Sequence, residues 1–209
     1  NGLIDEVRIS NTARSAEEIA EAYRAGRDHR LSKTITSTDL SAKTKLPFYV
    51  AADRPGTYLE ATIGESAYAN YEPDNYTVGL WHLEEQNGSG AYIKDSSGYG
   101  NHLTPNGTTF AQGKIGKARD FNGNDYTKTD STFSIPSYLT LEAWIYLDTV
   151  DGNQRWIAGD GTPAGEYWEI KIATTNKARI YCEPNNADGS TVLTTGKWYY
   201  IVGTCDFAN

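Results

Sequence analysis

The stretch that decides the fold reads Leu139-Thr140-Leu141-Glu142-Ala143-Trp144-Ile145-Tyr146-Leu147. Aliphatic residues take every second position, and polar or aromatic residues take the positions between them. A period of two is typical of a β-strand that buries one face. Other segments alternate in the same way and are separated by turns rich in Gly and Asn. The sequence therefore predicts an all-β protein.

Three segments precede this strand in a fixed order. They are Thr77-Val78-Gly79-Leu80-Trp81-His82-Leu83, the polar loop at residues 95–102, and a Gly- and Lys-containing segment at residues 113–123. In this order the four segments resemble the laminin-G-like, concanavalin A-like lectin/glucanase superfamily, as found in repetitive surface proteins, over residues 78–209. The resemblance implies a jelly-roll β-sandwich of two antiparallel sheets.

The composition limits the classes of partner. The chain has 209 residues, which is ample for a sizeable core, and Tyr (15) far outnumbers Phe (5) and Trp (5). A net charge of −8 argues against nucleic acid or an anionic membrane as partner. No run of about 18 apolar residues occurs, which predicts no membrane insertion. We expect an extracellular or cell-surface protein.

Residues 1–30 resemble the closing strand and short helix of the same family. Residues 2–9 alternate, with Leu3, Asp5, Val7 and Ile9 on one face. A capping box at Ser15-Ala16-Glu17-Glu18 predicts the start of a short N-terminal helix, and Gly26 predicts its C-cap.

In the family this closing pair comes last rather than first. We therefore interpret residues 1–30 as the end of a preceding module and residues 31–76 as a β-hairpin connector turning at Pro55-Gly56. Residues 77–209 are then a β-sandwich that lacks its last strands.

The two cysteines, Cys182 and Cys205, both occur in strand-like contexts. We favour two buried free thiols, because cysteine is often fully buried as a small apolar residue. A cross-strand disulfide is the alternative, and export from the cell would favour it.

The sequence contains no recognisable catalytic pattern. Glycoside cleavage needs two carboxylates that flank the bond. Glu166 and Glu169 are three residues apart, so on a strand they point to opposite faces, and the adjacent Glu84 and Glu85 also diverge. No nucleophile motif such as Gly-x-Ser-x-Gly is present. We predict that the chain is not an enzyme.

A structural Ca²⁺ site is predicted at the loop of residues 95–102. Asp95 offers a carboxylate and Asn101 a side-chain carbonyl, which are oxygen ligands that Ca²⁺ prefers. The resemblance implies Asp5 of the closing strand as a further ligand. The alternative is an Asx-type turn at Asp95 without metal.

Aromatic residues beside loops are the candidate ligand-binding residues. Tyr99, Trp156 and Tyr167 could stack on the rings of a polysaccharide. The alternative for each residue is packing within or over a sheet, which is common for strand aromatics.

The favoured function is a non-catalytic structural or adhesive module of a repetitive surface or filament-forming protein. A sandwich without its closing strand exposes an unpaired edge, which invites strand addition from another copy or a neighbouring module. Leu3, Val7 and Ile9 would then mediate the assembly. The alternatives are a carbohydrate-binding, lectin-like module and, third, a glycoside hydrolase.

Overall fold

The computed structural model describes residues 1–28, 71–129, 137–160 and 168–207. The predicted hairpin connector falls almost wholly outside these ranges. The elements, in chain order, are β1 (Gly2–Ser10), α1 (Ala16–Asp28), β2 (Thr77–Trp81), β3 (Thr104–Asn106), β4 (Thr109–Gln112), β5 (Lys117–Phe121), β6 (Tyr126–Lys128), β7 (Tyr138–Leu147), β8 (Arg155–Gly159), β9 (Trp168–Ile172), β10 (Lys177–Cys182), β11 (Asn185–Val192) and β12 (Trp198–Asp206).

Two antiparallel sheets form a sandwich. The six-stranded sheet has the order β12-β7-β1-β5-β4, with β2 also paired to β1, and the four-stranded sheet has the order β11-β10-β9-β8. A short two-stranded sheet joins β3 to β6. The predicted all-β sandwich with a short N-terminal helix is confirmed.

The core between the sheets follows the predicted alternation of β7. Leu139, Leu141, Ala143, Ile145 and Leu147 are all buried and pack against Trp168, Ile170 and Ile172 of β9. The other face of β7 also lies buried, because α1 covers it. Trp144 packs there with Leu80, Ile115 and Tyr71, and Ala22 and Ala25 of the helix contact this second cluster.

The capping box at the start of α1 is confirmed. The Glu18 carboxylate accepts hydrogen bonds from the backbone N–H and the hydroxyl of Ser15, and the Glu18 N–H donates back to the Ser15 hydroxyl. The predicted C-cap at Gly26 is wrong, since the helix runs to Asp28. Gly26 instead lets the helix approach the sheet: a Cβ there would lie 2.3 Å from Nε1 of Trp144.

A bulge in β1 corrects the predicted alternation of residues 2–9. The register with β7 shifts between Asp5 and Arg8, and Glu6 lies at a φ of 50°. The extra residue reverses the faces, so that Ile4, Val7 and Ile9 pack in the main core. Asp5 points away from that core and accepts a hydrogen bond from the backbone N–H of Ile115 at 2.8 Å.

The strand β1 pairs within its own chain. One side of it pairs with β7 along most of its length, and the other side pairs with β5 and then with β2. The interpretation of residues 1–30 as part of a separate preceding module is therefore corrected. Leu3, Val7 and Ile9 do not form an assembly face, because Val7 and Ile9 are buried in the core of this sandwich.

The cysteine prediction is also corrected. Cys182 of β10 and Cys205 of β12 form a disulfide with a Cα–Cα distance of 5.8 Å. Because β10 belongs to the small sheet and β12 to the large one, the bond crosses the core between the two layers.

A charged network lies buried between the large sheet and α1. Glu142 of β7 pairs with Arg8 of β1 and accepts a hydrogen bond from the Tyr200 hydroxyl. Nε of Arg14 lies 3.4 Å from the same Glu142 carboxylate, and Nη1 of Arg14 donates to Asp74 at 2.8 Å. The Glu142 side chain is fully buried, so these partners compensate its charge.

Candidate functional site

The outward face of the small sheet carries the most exposed tryptophan of the described residues. Trp156 of β8 is 62% exposed, and it lies directly opposite Lys171 of β9. Lys171 in turn lies opposite Arg179 of β10, which lies opposite Asp188 of β11. Because opposed residues of antiparallel strands share a face, these side chains form one row across four strands.

A second row runs beside the first. Glu169 of β9 lies opposite Tyr181 of β10, and Tyr181 lies opposite Asn186 of β11. We call the surface formed by both rows the Trp156 face: Trp156, Lys171, Arg179, Asp188, Glu169, Tyr181 and Asn186. Strands in a sheet are spaced by about 4.8 Å, so four strands give the face a width of about 14 Å.

The indole of Trp156 is held in place although it is exposed. Its Nε1–H donates to Oε2 of Glu169 at 2.6 Å, and Glu169 is only 2% exposed. The other oxygen of Glu169 pairs with the Lys171 ammonium, which also lies 5.6 Å from the centre of the indole ring. A fixed, exposed ring loses little entropy when a ligand stacks on it.

The cations of the Trp156 face have acid partners. Nη2 of Arg179 donates to Asp188 at 2.9 Å, and Lys171 pairs with Glu169. The ion pair raises the pKa of Arg179 and lowers the pKa of Asp188. The Tyr181 hydroxyl donates to Glu183, which raises the pKa of Tyr181. The face therefore offers an aromatic ring and polar groups without a strong net charge.

A cleft of about 650 Å³ opens beside Trp156. Its apolar lining comes from the two facing sheets and includes Ile4, Ile145 and Ile172. The rest of the wall is polar or aromatic and includes Asp125, Tyr126, Arg155 and Glu169. Tyr126 is 47% exposed. The cleft thus combines apolar surface with hydrogen-bonding groups, which is the usual make-up of a small-molecule site.

The three aromatic residues predicted to bind ligand do not form one site. Trp156 belongs to the face and the cleft described above. Tyr99 is 65% exposed but is not among the residues that line the cleft. Tyr167 lies outside the described residues. Tyr126, which the sequence also places beside a loop, lines the cleft together with Trp156. Glu169 was missed as a binding residue, because its alignment with Trp156 depends on strand register, which the sequence does not encode locally.

The predicted calcium loop is closed by internal hydrogen bonds. Oδ1 of Asp95 accepts from the backbone N–H groups of Leu80 at 3.0 Å and Ser97 at 2.9 Å. Oδ2 accepts from the Ser97 hydroxyl at 2.7 Å and the Asn101 N–H at 2.9 Å. These four bonds occupy the lone pairs that a cation would need.

The other two predicted ligands bond to different groups. The side-chain nitrogen of Asn101 donates to the carbonyl of Val78 at 2.9 Å. Oδ2 of Asp5 accepts from the backbone N–H of Ile115, while Oδ1 of Asp5 is buried and has no hydrogen-bond partner among the described residues. Within the described ranges, no group of three or more acidic, His or Cys side chains could hold a metal ion. The hydrogen bonds of Asp95 match the Asx-turn alternative, and the Ca²⁺ site stays a prediction.

Two buried acids, Asp5 and Glu6, contact Ile115 and Tyr71 in the layer beneath α1 and do not line the cleft. Burial raises the pKa of Asp5 to about 9, and the neighbouring Glu6 adds to the effect. Burial also raises the pKa of Glu6, although its hydrogen bond to His82 opposes the rise. Burial lowers the pKa of His82, but the Glu6 contact outweighs it and the pKa is raised. Asp5 and Glu6 are fully buried, so they cannot reach a substrate in the cleft.

No helix among the described residues has the length and apolar character that crossing a membrane requires.

Comparison with known proteins supports the fold assignment. Residues 120–209 match the family model described as the concanavalin A-like lectin/glucanases superfamily, of the laminin G type. Neither the curated proteins nor the solved structures contain a match to the chain. Laminin G-like domains are generally non-catalytic and typically extracellular, while the superfamily also includes glycosidases.

The matched region contains β6 to β12, and with them Trp156, Glu169 and the disulfide. The resemblance of residues 78–119 lies outside the match and stays a prediction. Over residues 120–209 the chain is therefore similar to the concanavalin A-like lectin/glucanase superfamily, as the resemblance of its sequence segments implied.

Proposed function

We propose that the protein is a non-catalytic carbohydrate-binding module that binds a neutral glycan on the Trp156 face and in the adjoining cleft. One observation carries the proposal: an indole that is 62% exposed is fixed by a nearly buried carboxylate at the mouth of the cleft. Pyranose rings have apolar C–H faces that stack on such rings, and their hydroxyls bond to polar groups at the edge.

The charge pattern supports a neutral glycan over an acidic one. The cations of the Trp156 face are paired with Glu169 and Asp188, Arg155 of the cleft wall is paired with Asp151, and the whole chain carries a net charge of −8. A polyuronate would therefore meet unfavourable long-range repulsion and would have to break existing ion pairs. A neutral glycan would meet no such repulsion and would not have to break these ion pairs.

The chemistry of the cleft supports binding rather than hydrolysis. A glycosidase needs a free acid and a second carboxylate on either side of the scissile bond. Glu169 is held by both the Trp156 indole and the Lys171 ammonium. Asp125, the other acid among the described residues that line the cleft, accepts the backbone N–H of Asn122 at 2.7 Å. Both are better placed to hold the wall of the cleft than to transfer protons.

An extracellular location belongs to the same proposal. A disulfide across the core persists in oxidising surroundings, and laminin G-like domains are typically extracellular. An adhesive role would follow from glycan binding. Assembly by exchange of β1 has lost its physical basis, because the edge of β7 that it required is already paired.

The test is binding of the folded chain to immobilised or soluble glycans. Suitable probes are cellohexaose, laminarin, mannan and galactan as neutral glycans, with alginate as the acidic comparison, measured by pull-down and calorimetry. We expect at least one neutral glycan to bind and alginate not to. Trp156→Ala should weaken that binding at least about tenfold, since a central aromatic contact is typically worth more than about 1.4 kcal/mol.

Tyr138→Ala is the matched control, because Tyr138 is also an exposed strand aromatic, at 42%, but does not line the cleft. Tyr138→Ala should leave binding unchanged. A third variant, Tyr99→Ala, tests whether the polar loop at residues 95–102 contributes to glycan binding. Release of reducing sugar from any bound glycan would contradict the non-catalytic part of the proposal. Equal binding by wild type and Trp156→Ala would contradict the site.

A further inference from the structure

Three sites in the described chain have the form Asn-x-Ser/Thr, the acceptor motif of N-linked glycosylation. They are Asn75-Tyr76-Thr77, Asn87-Gly88-Ser89 and Asn106-Gly107-Thr108. All three asparagines are exposed. A transferase that reads the motif must reach both the amide and the hydroxyl two residues later. The surroundings of the three hydroxyls therefore decide which motif a folded chain can present.

The hydroxyl of Thr77 is out of reach. Thr77 is 1% exposed, and its hydroxyl donates to Oδ1 of Asp74 at 2.8 Å while accepting the Asp74 N–H at 3.1 Å. The backbone N–H of Thr77 also bonds to the Asp74 carbonyl at 3.1 Å, which closes a tight turn around Asn75. This motif is folded into the buried network that includes Arg14.

The hydroxyl of Thr108 is equally occupied. Thr108 is 6% exposed, and its hydroxyl oxygen accepts from Nε of Arg119 at 3.1 Å and from Nη2 at 2.9 Å. Arg119 is fully buried, so releasing Thr108 would remove hydrogen bonds from a buried cation. The hydrogen bonds to Arg119 thus keep the Thr108 hydroxyl of the Asn106 motif out of reach of a transferase.

The Asn87 motif differs from both. Asn87, Gly88 and Ser89 are all exposed, and no hydrogen bond in the described part of the chain engages the Asn87 amide or the Ser89 hydroxyl. The loop is fixed at its two ends: the Glu85 carbonyl and the Tyr92 hydroxyl each accept from Arg119 at 3.1 Å. The motif therefore lies on a loop that is anchored at both ends, with the Asn87 amide and the Ser89 hydroxyl exposed to solvent.

We propose that Asn87 is an N-glycosylation site of the folded protein, and that Asn75 and Asn106 are closed to modification once the chain has folded. The donor would be an oligosaccharide linked to a polyprenyl phosphate or diphosphate. The amide nitrogen Nδ2 of Asn87 attacks the anomeric carbon and forms a C–N bond. The C–O bond to the phosphate breaks, the lipid phosphate leaves with the electron pair, and a base of the transferase takes one amide proton.

The site is distinct from the Trp156 face and does not depend on glycan binding there. It depends on export, since the transferases and their lipid-linked donors act on exported chains. A glycan at residue 87 would add bulk and hydration to an exposed loop without displacing any contact of the core.

The test compares folded and unfolded acceptor. The oxidised chain, and the same chain reduced and alkylated in mild denaturant, are incubated with an N-oligosaccharyltransferase and its lipid-linked oligosaccharide, with a short Asn-x-Thr peptide as the control for enzyme activity. Glycopeptide mass spectrometry then reads each site. We expect one glycan on the folded chain, at Asn87, and additional modification at Asn75 and Asn106 on the unfolded chain.

Asn87→Gln and Ser89→Ala should each abolish modification of the folded chain, whereas Asn75→Gln and Asn106→Gln should leave it unchanged. No modification of Asn87 on a folded chain, in the presence of an active transferase, would overturn the proposal. So would equal modification of all three sites in the folded state. Asn87→Gln should not alter glycan binding, which keeps this result separate from that of the proposed function.

Discussion

Cys182 and Cys205 join the two sheets of the sandwich through one covalent bond, which links β10 of the small sheet to β12 of the large sheet. The two residues are 23 positions apart, and the bond therefore closes a loop that would be flexible in the unfolded chain. Closing a loop of this size stabilises a folded protein by about 3 kcal/mol in the chain-entropy model.

We expect the double change Cys182→Ser and Cys205→Ser to lower the free energy of unfolding by about 2–4 kcal/mol. Urea denaturation of wild type and variant, both purified under oxidising conditions, measures the difference. Reduction of the wild type should cost a similar amount, while the double variant should not respond to reductant. A wild type that reacts with two equivalents of thiol reagent without prior reduction would show that the bond is absent.

Asp5 gives the protein a dependence on pH. Its folded pKa, about 9, lies above its ordinary value of 3.8, so the folded chain holds a proton that the unfolded chain releases. The stability associated with this group is complete below pH 3.8 and is lost as the pH rises towards about 9, by up to about 1.4 kcal/mol per pH unit. Asp5→Asn keeps an acceptor for the Ile115 N–H but cannot ionise.

The variant should therefore be as stable as the wild type at low pH and more stable above neutrality. Melting temperatures between pH 5 and pH 9 would measure the divergence. Glu6 and His82 are present in both proteins, and because the Asp5 and Glu6 carboxyls repel each other, the difference also includes the loss of that repulsion. Parallel curves for the two proteins over that range would contradict the buried, protonated state of Asp5.

Glu142 holds the charged layer beneath α1 together. Glu142→Ala would leave Arg8 buried without its partner, and we expect it to destabilise the fold by about 3–5 kcal/mol. Replacing both Arg8 and Glu142 by Leu removes the two charges together and should cost much less. Denaturant titration of the single and double variants gives the coupling energy. Additive losses would mean that the two residues do not interact.

Two experiments on the Asp95 loop distinguish an internal turn from a metal site. Asp95→Ala leaves the backbone N–H groups of Leu80 and Asn101 without their acceptor, and we expect a loss of about 1–3 kcal/mol. The melting temperature of chelator-treated wild type should not change on addition of CaCl₂. A rise in melting temperature with CaCl₂ that disappears in Asp95→Asn would instead establish the Ca²⁺ site predicted from the sequence.

The intramolecular pairing of β1 predicts a monomer. Val7 and Ile9 are buried in the core of their own chain, and β1 already has partners on both sides. Light scattering should report a mass near 23.0 kDa at all concentrations tested. A mass that grows with concentration, and that a synthetic peptide of residues 1–10 suppresses, would restore the strand-exchange hypothesis.

The sequence predicts those parts of the fold that depend on neighbouring residues. The alternation in β7 is visible because its period matches the pleat of a strand. The capping box at Ser15 and Glu18 is visible because its hydrogen bonds span only three residues. Both are confirmed by the structure.

Features that depend on distant residues are not visible in this way. Glu6 takes a positive φ, although a positive φ is usually marked in the sequence by glycine. The bulge that results reverses the faces of β1 and is therefore not visible in the sequence. The disulfide depends on β10 lying across the core from β12. Trp156 can be identified as an exposed aromatic beside a loop, but its contact with Glu169 requires the register between β8 and β9.

The position of β1 also sets the order in which the chain can fold. The strand β1 is synthesised before its longest partner, β7, which follows more than a hundred residues later, so the emerging chain carries Val7 and Ile9 before that partner exists. Pairing over so great a separation is slow. Until β7 is available, the apolar side chains of β1 stay exposed, so this segment can aggregate before the large sheet has formed.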